Sequence, residues 1–432
     1  MRTFTILWLS RLISNIGTRI AGFAITLWVW DLTGSATALA LTGVFYQLPR
    51  IGTSLFAGIL VDRVSRKSLM ILSEAVAATL TLVLLGLYLT EHLAIWQLYT
   101  AALIRGGFEK FGQLAYQASI TLLVRPQNYT RANSMNSTIH YGANISAPTI
   151  AGILYPMIGL GGILPINLAA FAIAITTIAL LQIPQPPPDN SPRQKASSQI
   201  AAAWQEVTFG LRYLWQSHSL RALLMIIMMF EIAHSISNTV YGPMVLARTN
   251  DNSQALGAAA TFAGFGGVTG AIVLSFWGGF RRNERGMLVG FIGAGLAKTI
   301  FGLGRSLSVW LPAQFCSSLN FPLMGSSKTA LWMAATPAKF QGRVFAAHWL
   351  IYDLVSMPVR LAAGVMSDRF FEPAMRSPGL LQSLFAPIFG SGPGAGMALL
   401  YVCSAIAMLM VGVFGFSMPQ LRLIEKTEKV EP

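Results

Sequence analysis

The chain of 432 residues is 54% hydrophobic and only 11% charged, well under the roughly 25% of an average soluble domain. With a mean hydropathy of +0.57, this excludes a soluble globular class and predicts a membrane protein, while two cysteines inside apolar runs, Cys316 and Cys403, exclude a disulfide framework or a cysteine metal cluster. The net charge of +14 is of the kind that attracts nucleic acid, but its distribution along the chain assigns it to topology and lipid headgroups.

Hydropathy and helix breakers predict twelve spans, near 5–30, 36–61, 68–90, 95–124, 132–158, 162–183, 219–247, 256–280, 286–304, 307–334, 343–367 and 395–417. The start, MRTFTILWLSRLISNIGTRIAGF, has no small-residue cleavage site and runs on as a full-length span, so it reads as a retained first helix. Six spans precede the proline-rich stretch IPQPPPDNSPRQKASSQ at 183–199, and six follow it. The expected organisation is an all-α membrane protein of two six-helix bundles, 1–183 and 219–418, with a linker at 184–218 and a tail at 419–432. Residues 201–221 have the apolar spacing of an interfacial helix leading into the seventh span. A 6+6 plan of this kind is common among transporters, with substrate bound near the midplane.

If the N-terminus is cytoplasmic, 18 of the 30 Lys and Arg fall in cytoplasmic segments, 4 in the opposite loops (Arg248, Arg305, Arg369 and Arg376) and 8 within spans. That asymmetry predicts both termini inside, in a multi-pass cell-membrane protein whose positive charge meets anionic lipid and needs no nucleic acid.

In chain order, the first span carries Arg11, Asn15 and Arg19, four apart and so on one stripe. The second closes with GILVDRVSRK, residues 58–67. Here Gly58 permits close helix approach, Asp62 can accept hydrogen bonds from a neighbouring helix N-terminus or an arginine, and Arg63, Arg66 and Lys67 hold the loop inside. In the fourth span Arg105 and Glu109 stand one turn apart and can pair, which lowers the cost of burying either; a transport role and a structural one are both open. The fifth, YGANISAPTIAGILYP, sets Gly142, Ala143, Ala147, Pro148, Ala151 and Gly152 on closely related faces, a pattern that lets helices pack tightly with Pro148 kinking or stiffening the helix.

The seventh span carries Glu231, His234 and Asn238 on one face, and the Glu–His pair is a candidate for proton handling. The eleventh carries Asp353 and Arg360, two turns apart. Arg50, Lys298 and Lys328 complete the set, with snorkelling to a boundary as the alternative for Arg11, Arg50 and Lys298. The spans hold 8 basic residues against 4 acidic ones, Glu74, Glu109, Glu231 and Asp353, an excess that favours anionic or zwitterionic amphiphiles in a cavity lined by Phe, Trp and Met. GVMSDRFFEP (364–373) ends the eleventh span on the outer side and is expected to cap that helix. In the outer loop 368–394, LLQSLFAPIFG is expected on the membrane surface or over the outer vestibule. FGSGPGAG (389–396) lacks the preceding strand and the following Lys-Ser/Thr of a phosphate loop. With no Ser-His-Asp, zinc or paired-carboxylate arrangement, neither catalysis nor a cofactor or metal is expected.

The pattern Gly58-x-Leu60-x-Asp62-Arg63-x-x-Arg66-Lys67 resembles the loop signature of the major facilitator superfamily, with Ser65 where a glycine is usual. The second-half equivalent, Gly278 to Arg285, keeps glycine and charge but has Arg282 where the aspartate would fall. The fifth span resembles that family's antiporter Gly-Pro motif with alanines for most glycines, and Arg105 loosely matches its fourth-helix arginine. The run LWVWDLTGSATALALTGVFYQLPRIGTSLFAGILVDRVSRK, with RANSMNS (131–137) and FQGRVFA (340–346), is similar to the branch containing macrolide efflux pumps and the enterobactin exporter. The resemblance implies the major facilitator fold and a monomeric exporter of an amphipathic small molecule. It implies alternating access, proton antiport, and a 58–67 loop that latches the outward-facing state. A lipid or lysolipid flippase and an uptake permease share the same loop signatures and stay open.

Overall fold

The computed structural model describes residues 2–125, 128–183, 196–337, 340–421 and 424, with the backbone alone at 54–63 and at parts of 121–144 and 196–207. Every extended regular element among them is a helix. Within lipid this is the only way an isolated segment can bond all of its own N–H and C=O groups. In the first half these are α1 (Arg2–Thr33), α2 (Ala36–Arg63), α3 (Arg66–Leu89), α4 (Ile95–Leu123) and α5 (Tyr129–Leu180). There follow α6 (Ala196–Gln216), α7 (His218–Arg248), α8 (Ser253–Trp277), α9 (Asn283–Leu303), α10 (Leu307–Ala334) and α11 (Gln341–Met366). A π-helical turn (Ser367–Phe371) then leads to α12 (Glu372–Arg376), α13 (Leu380–Phe389) and α14 (Ala395–Gly415).

Eight helices among the described residues are long and apolar enough to cross a membrane. The helices α2, α4 and α10 have the length but carry polar residues in mid-helix, among them Arg50, Arg105, Glu109 and Lys328. The element α5 is two helices in succession, meeting at a kink at Gly159 (φ 61°, ψ −170°), a conformation that a side chain would oppose; the kink falls between the predicted spans 132–158 and 162–183. Elsewhere the ends follow local capping chemistry. Ser65 and Asn252 accept from the backbone N–H three residues on, at 3.0 Å each, and Gly278 closes α8 in the left-handed region.

Two compact units emerge, one of residues 1–33 and 41–203, the other of 34–40 and 204–432. In the first, α1 packs along α5, and α3 packs against α4 and α5. Polar ties reinforce α1 on α5, from Trp8 Nε1 to the Met135 carbonyl (2.6 Å) and from the Tyr155 hydroxyl to Asp31 (2.7 Å). Leu7, Leu69, Met70, Ala115 and Ile178 form a core. In the second, α10 packs on α8 and α9, while α7 and α9 pack on α14 around Leu223, Phe230, Phe291, Trp332 and Met408. A Cβ on Gly266 or Gly270 of α8 would lie 2.2 or 2.3 Å from an α10 carbonyl oxygen, so small residues set that crossing. The outside is apolar: Phe276 is 90% exposed, Leu180 79% and Leu82 60%, a surface suited to lipid and not to water.

Candidate functional site

The first unit collects its charged span residues into one polar cluster. From α1, Arg11 Nη1 reaches Glu74 Oε1 of α3 at 2.7 Å, and Ser14 donates to the other oxygen of Glu74 at 2.7 Å. The same guanidinium lies over the Tyr116 ring at 5.1 Å, whose hydroxyl bonds Asn136 at 2.6 Å. One turn along α1, Arg19 Nε is held by Asn15 Oδ1 at 2.9 Å, within electrostatic reach of Glu109. From α2, Tyr46 donates to Glu109 Oε1 at 2.8 Å, and Arg50 Nη1 bonds the Tyr46 oxygen at 2.7 Å and approaches Glu109 at 3.4 Å. Arg105 completes the set, 3.5 Å from the second oxygen of Glu109.

Close helix approach makes this geometry possible. A Cβ on Gly106 would stand 2.1 Å from the Tyr46 carbonyl oxygen, so only glycine there lets α4 lie against α2. A cavity of about 50 Å3 is lined by Arg11, Asn15, Glu74, Arg105 and Glu109. Glu74 is buried at 7% side-chain exposure, whereas Glu109 is open at 38%. Of the two carboxylates lining the cavity, Glu109 is the more exposed.

In the second unit Glu231 Oε1 pairs with Lys328 Nζ at 3.0 Å. The expected Glu231–His234 pair does not form: His234 lies between Phe230 and Phe321, 6.1 and 5.2 Å away, and its Nδ1 is buried without a hydrogen-bond partner. Partners on other residues take each side chain first: Lys328 pairs with Glu231, and the rings of Phe230 and Phe321 enclose His234. Lys298, 4% exposed, donates to Ser237 Oγ at 3.1 Å and stands over Tyr401 at 5.2 Å. Asn238 is exposed. Asp353 and Arg360 are half-buried on α11, with Arg360 within hydrogen-bonding reach of Tyr352. Lys298, Lys328 and Arg360 all lie within electrostatic reach of His234.

The side chains of the 58–67 signature divide. Asp62 and Arg63, with Gly58, lie outside the described side chains, on a stretch whose backbone is helical. Arg66 donates to the Ala118 carbonyl near the end of α4, and Lys67 to those of Ala179 and Leu181 at the end of α5, where cations meet the negative ends of helices. Ser65, in the usual glycine position, is the N-cap of α3. In the small-residue motif, Ala143, Ala147 and Ala151 are at most 1% exposed, Gly152 is buried and Pro148 half-buried; Gly142 falls among the residues described by backbone alone.

The 364–373 segment, expected to cap its own helix, instead caps two others. Asp368 accepts from Ser35 Oγ (2.6 Å) and from the N–H groups of Ala36 (3.1 Å) and Thr37 (2.8 Å), at the start of α2. Glu372 accepts from the N–H groups of Gly394 (2.7 Å), Gly396 (3.0 Å) and Met397 (3.2 Å), at the start of α14. The chain needs glycine at 396 because a Cβ there would lie 2.2 Å from the Phe371 backbone. The carbonyls of Ile388 and Phe389 at the end of α13 accept from Arg305 and Arg248, and Leu380 and Leu384 of that helix are exposed.

Sequence reasoning missed Glu74, Tyr46 and Tyr116 as site members. Glu74 carried a usable signal, as an acid deep in an otherwise apolar span; the two tyrosines carried none. Among the described residues no group of three or more His, Cys, Asp or Glu converges as a metal site.

A family model described as Major Facilitator Superfamily matches residues 7–358. Macrolide efflux protein A of Streptococcus pyogenes is 24% identical over 369 residues, 85% of this chain and 89% of its own. Enterobactin exporter EntS of Citrobacter koseri is 25% identical over 349 residues, 79% of each. Among solved structures, a bacterial homolog of the human lysosomal transporter Spinster, inward-facing and unoccupied, aligns with a TM-score of 0.70 at 16% identity, over 98% of this chain and 97% of its own. The nucleoside transporter NupG aligns at 0.69 with 10% identity, over 96% and 99%.

Proposed function

Given that the chain belongs to the major facilitator superfamily, we propose that it is a secondary exporter, moving an amphipathic small molecule out of the cell by alternating access in exchange for protons. Relatives named for macrolide efflux and enterobactin export, each aligned over most of both chains, support the outward direction. The excess of basic residues in one set of loops supports a cell-membrane location with both termini in the cytoplasm.

The observation that carries the coupling is Glu109, a half-buried carboxylate held by Arg50, Arg105 and Tyr46. When Glu109 takes up a proton its charge is lost, and both guanidiniums lose the anion that holds them in place. A ligand or proton shifts a two-state equilibrium only by its differential affinity for the two states, and a few kcal/mol is enough. Protonation thereby biases the two units toward one arrangement, and substrate release toward the other.

The test is reconstitution in liposomes of known orientation under an imposed pH gradient, with fluorescent amphiphiles of positive, zero and negative charge. Net movement of at least one amphiphile against the proton flow is expected, and Glu109→Gln should remove its dependence on the gradient. Movement with the protons would make the protein an uptake permease, and gradient-driven transport intact in Glu109→Gln would take Glu109 out of the proton path.

A further inference from the structure

We propose that the transported amphiphile carries an acidic group, held by the guanidinium cluster of the first unit. This rests on the exporter reading and narrows its substrate class. Among the described residues the cluster brings four guanidiniums, Arg11, Arg19, Arg50 and Arg105, against two carboxylates, Glu74 and Glu109. The first unit thus carries an excess of positive charge inside helices surrounded by lipid.

Such an excess is costly in a low-dielectric interior unless an anion compensates it. The chain's own carboxylates do this for part of the cluster. Arg11 is committed to Glu74, whose other oxygen is taken by Ser14. Arg11, Arg50 and Arg105 are about equally exposed, but Arg50 and Arg105 flank the more open carboxylate, Glu109 at 38% against 7% for Glu74. A guanidinium fork binds a carboxylate or another planar acid through two parallel hydrogen bonds. An acidic group arriving at Arg50 brings the cluster closer to neutrality, and a cationic group moves it further away.

The charge balance of transport gives a second, independent consequence. One anion leaving and one proton entering together move two positive charges inward. Export is then accelerated by an inside-negative membrane potential at constant pH gradient, as it would not be for a monocation exchanged for one proton, where the charges cancel.

The binding test uses the full chain in nanodiscs of zwitterionic phosphatidylcholine, so that no lipid headgroup supplies a net negative charge. Tryptophan-to-dansyl energy transfer is followed for dansyl-phenylalanine, its methyl ester and dansyl-cadaverine, which are anionic, neutral and cationic. The acid should bind about tenfold more tightly than the ester, the equivalent of ~1.4 kcal/mol. Arg50→Gln should reduce that preference to about threefold or less without weakening the ester, and Arg50→Lys should restore part of it. Equal or tighter binding of the ester or the cation by the unaltered protein overturns the proposal, as does an unchanged preference in a folded Arg50→Gln protein. If the variant does not fold, the acid-to-ester comparison on the unaltered chain decides. No gradient enters this experiment, so its failure leaves export and coupling untouched, and failure of the gradient experiment leaves acid selectivity untouched.

Discussion

Glu74 illustrates how a charge can be held inside lipid. Both of its oxygens are taken, one by Arg11 and one by Ser14, and Glu74 itself is only 7% exposed. Breaking a buried pair leaves one uncompensated charge and costs about 3–5 kcal/mol, whereas replacing both partners by apolar residues of similar size is often neutral. Glu74→Gln should therefore lower the melting temperature of the detergent-solubilised protein sharply, and the double replacement of Arg11 and Glu74 by methionine should recover most of the loss. A double variant as unstable as the single one would mean that the pair is coupled to further groups. The sequence contained both residues but not their pairing, because 63 positions separate them and only the packing of α1 on its neighbours brings them together.

At the scale of elements, the N-terminal ends of α2 and α14 depend on two carboxylates one turn apart, Asp368 and Glu372. Each satisfies backbone N–H groups that a helix start leaves without an intrahelical partner. Loss of a capping oxygen costs about 0.5–2 kcal/mol. Asp368→Ala should thus speed hydrogen exchange at the amides of Ala36 and Thr37 while leaving Gly396 and Met397 protected, and Glu372→Gln should do the reverse. Equal protection in both variants would remove the capping role. The acidic pair was visible in GVMSDRFFEP, but its targets were not, since they lie more than 300 and about 20 residues away. Similarly, hydropathy and breakers announced a break between the fifth and sixth spans, yet not that one positive-φ glycine, Gly159, would make it without an intervening loop.

On the scale of the whole molecule, alternating access requires a part that favours one state, and Asp62 at the end of α2 is the residue proposed for it. Asp62→Asn should slow substrate transport severalfold with little change in binding of the dansyl probes; transport at the unaltered rate would remove the latch role. Arg66 and Lys67 are expected to contribute less to switching, because they are engaged by helix-end carbonyls of their own unit. The sequence by itself determined the membrane class and the inventory of charges within the helices. Both follow from local composition, because lipid demands long apolar helices and tolerates few ionisable residues within them. Only the tertiary structure decided that Glu109 is shared by Arg50, Arg105 and Tyr46, that Glu231 belongs to Lys328 and not to His234, and that Asp368 and Glu372 serve distant helices. Those are choices between partners on different helices, set by glycine-mediated close approach and by rotation about each helix axis, and helical periodicity alone carries no information about either.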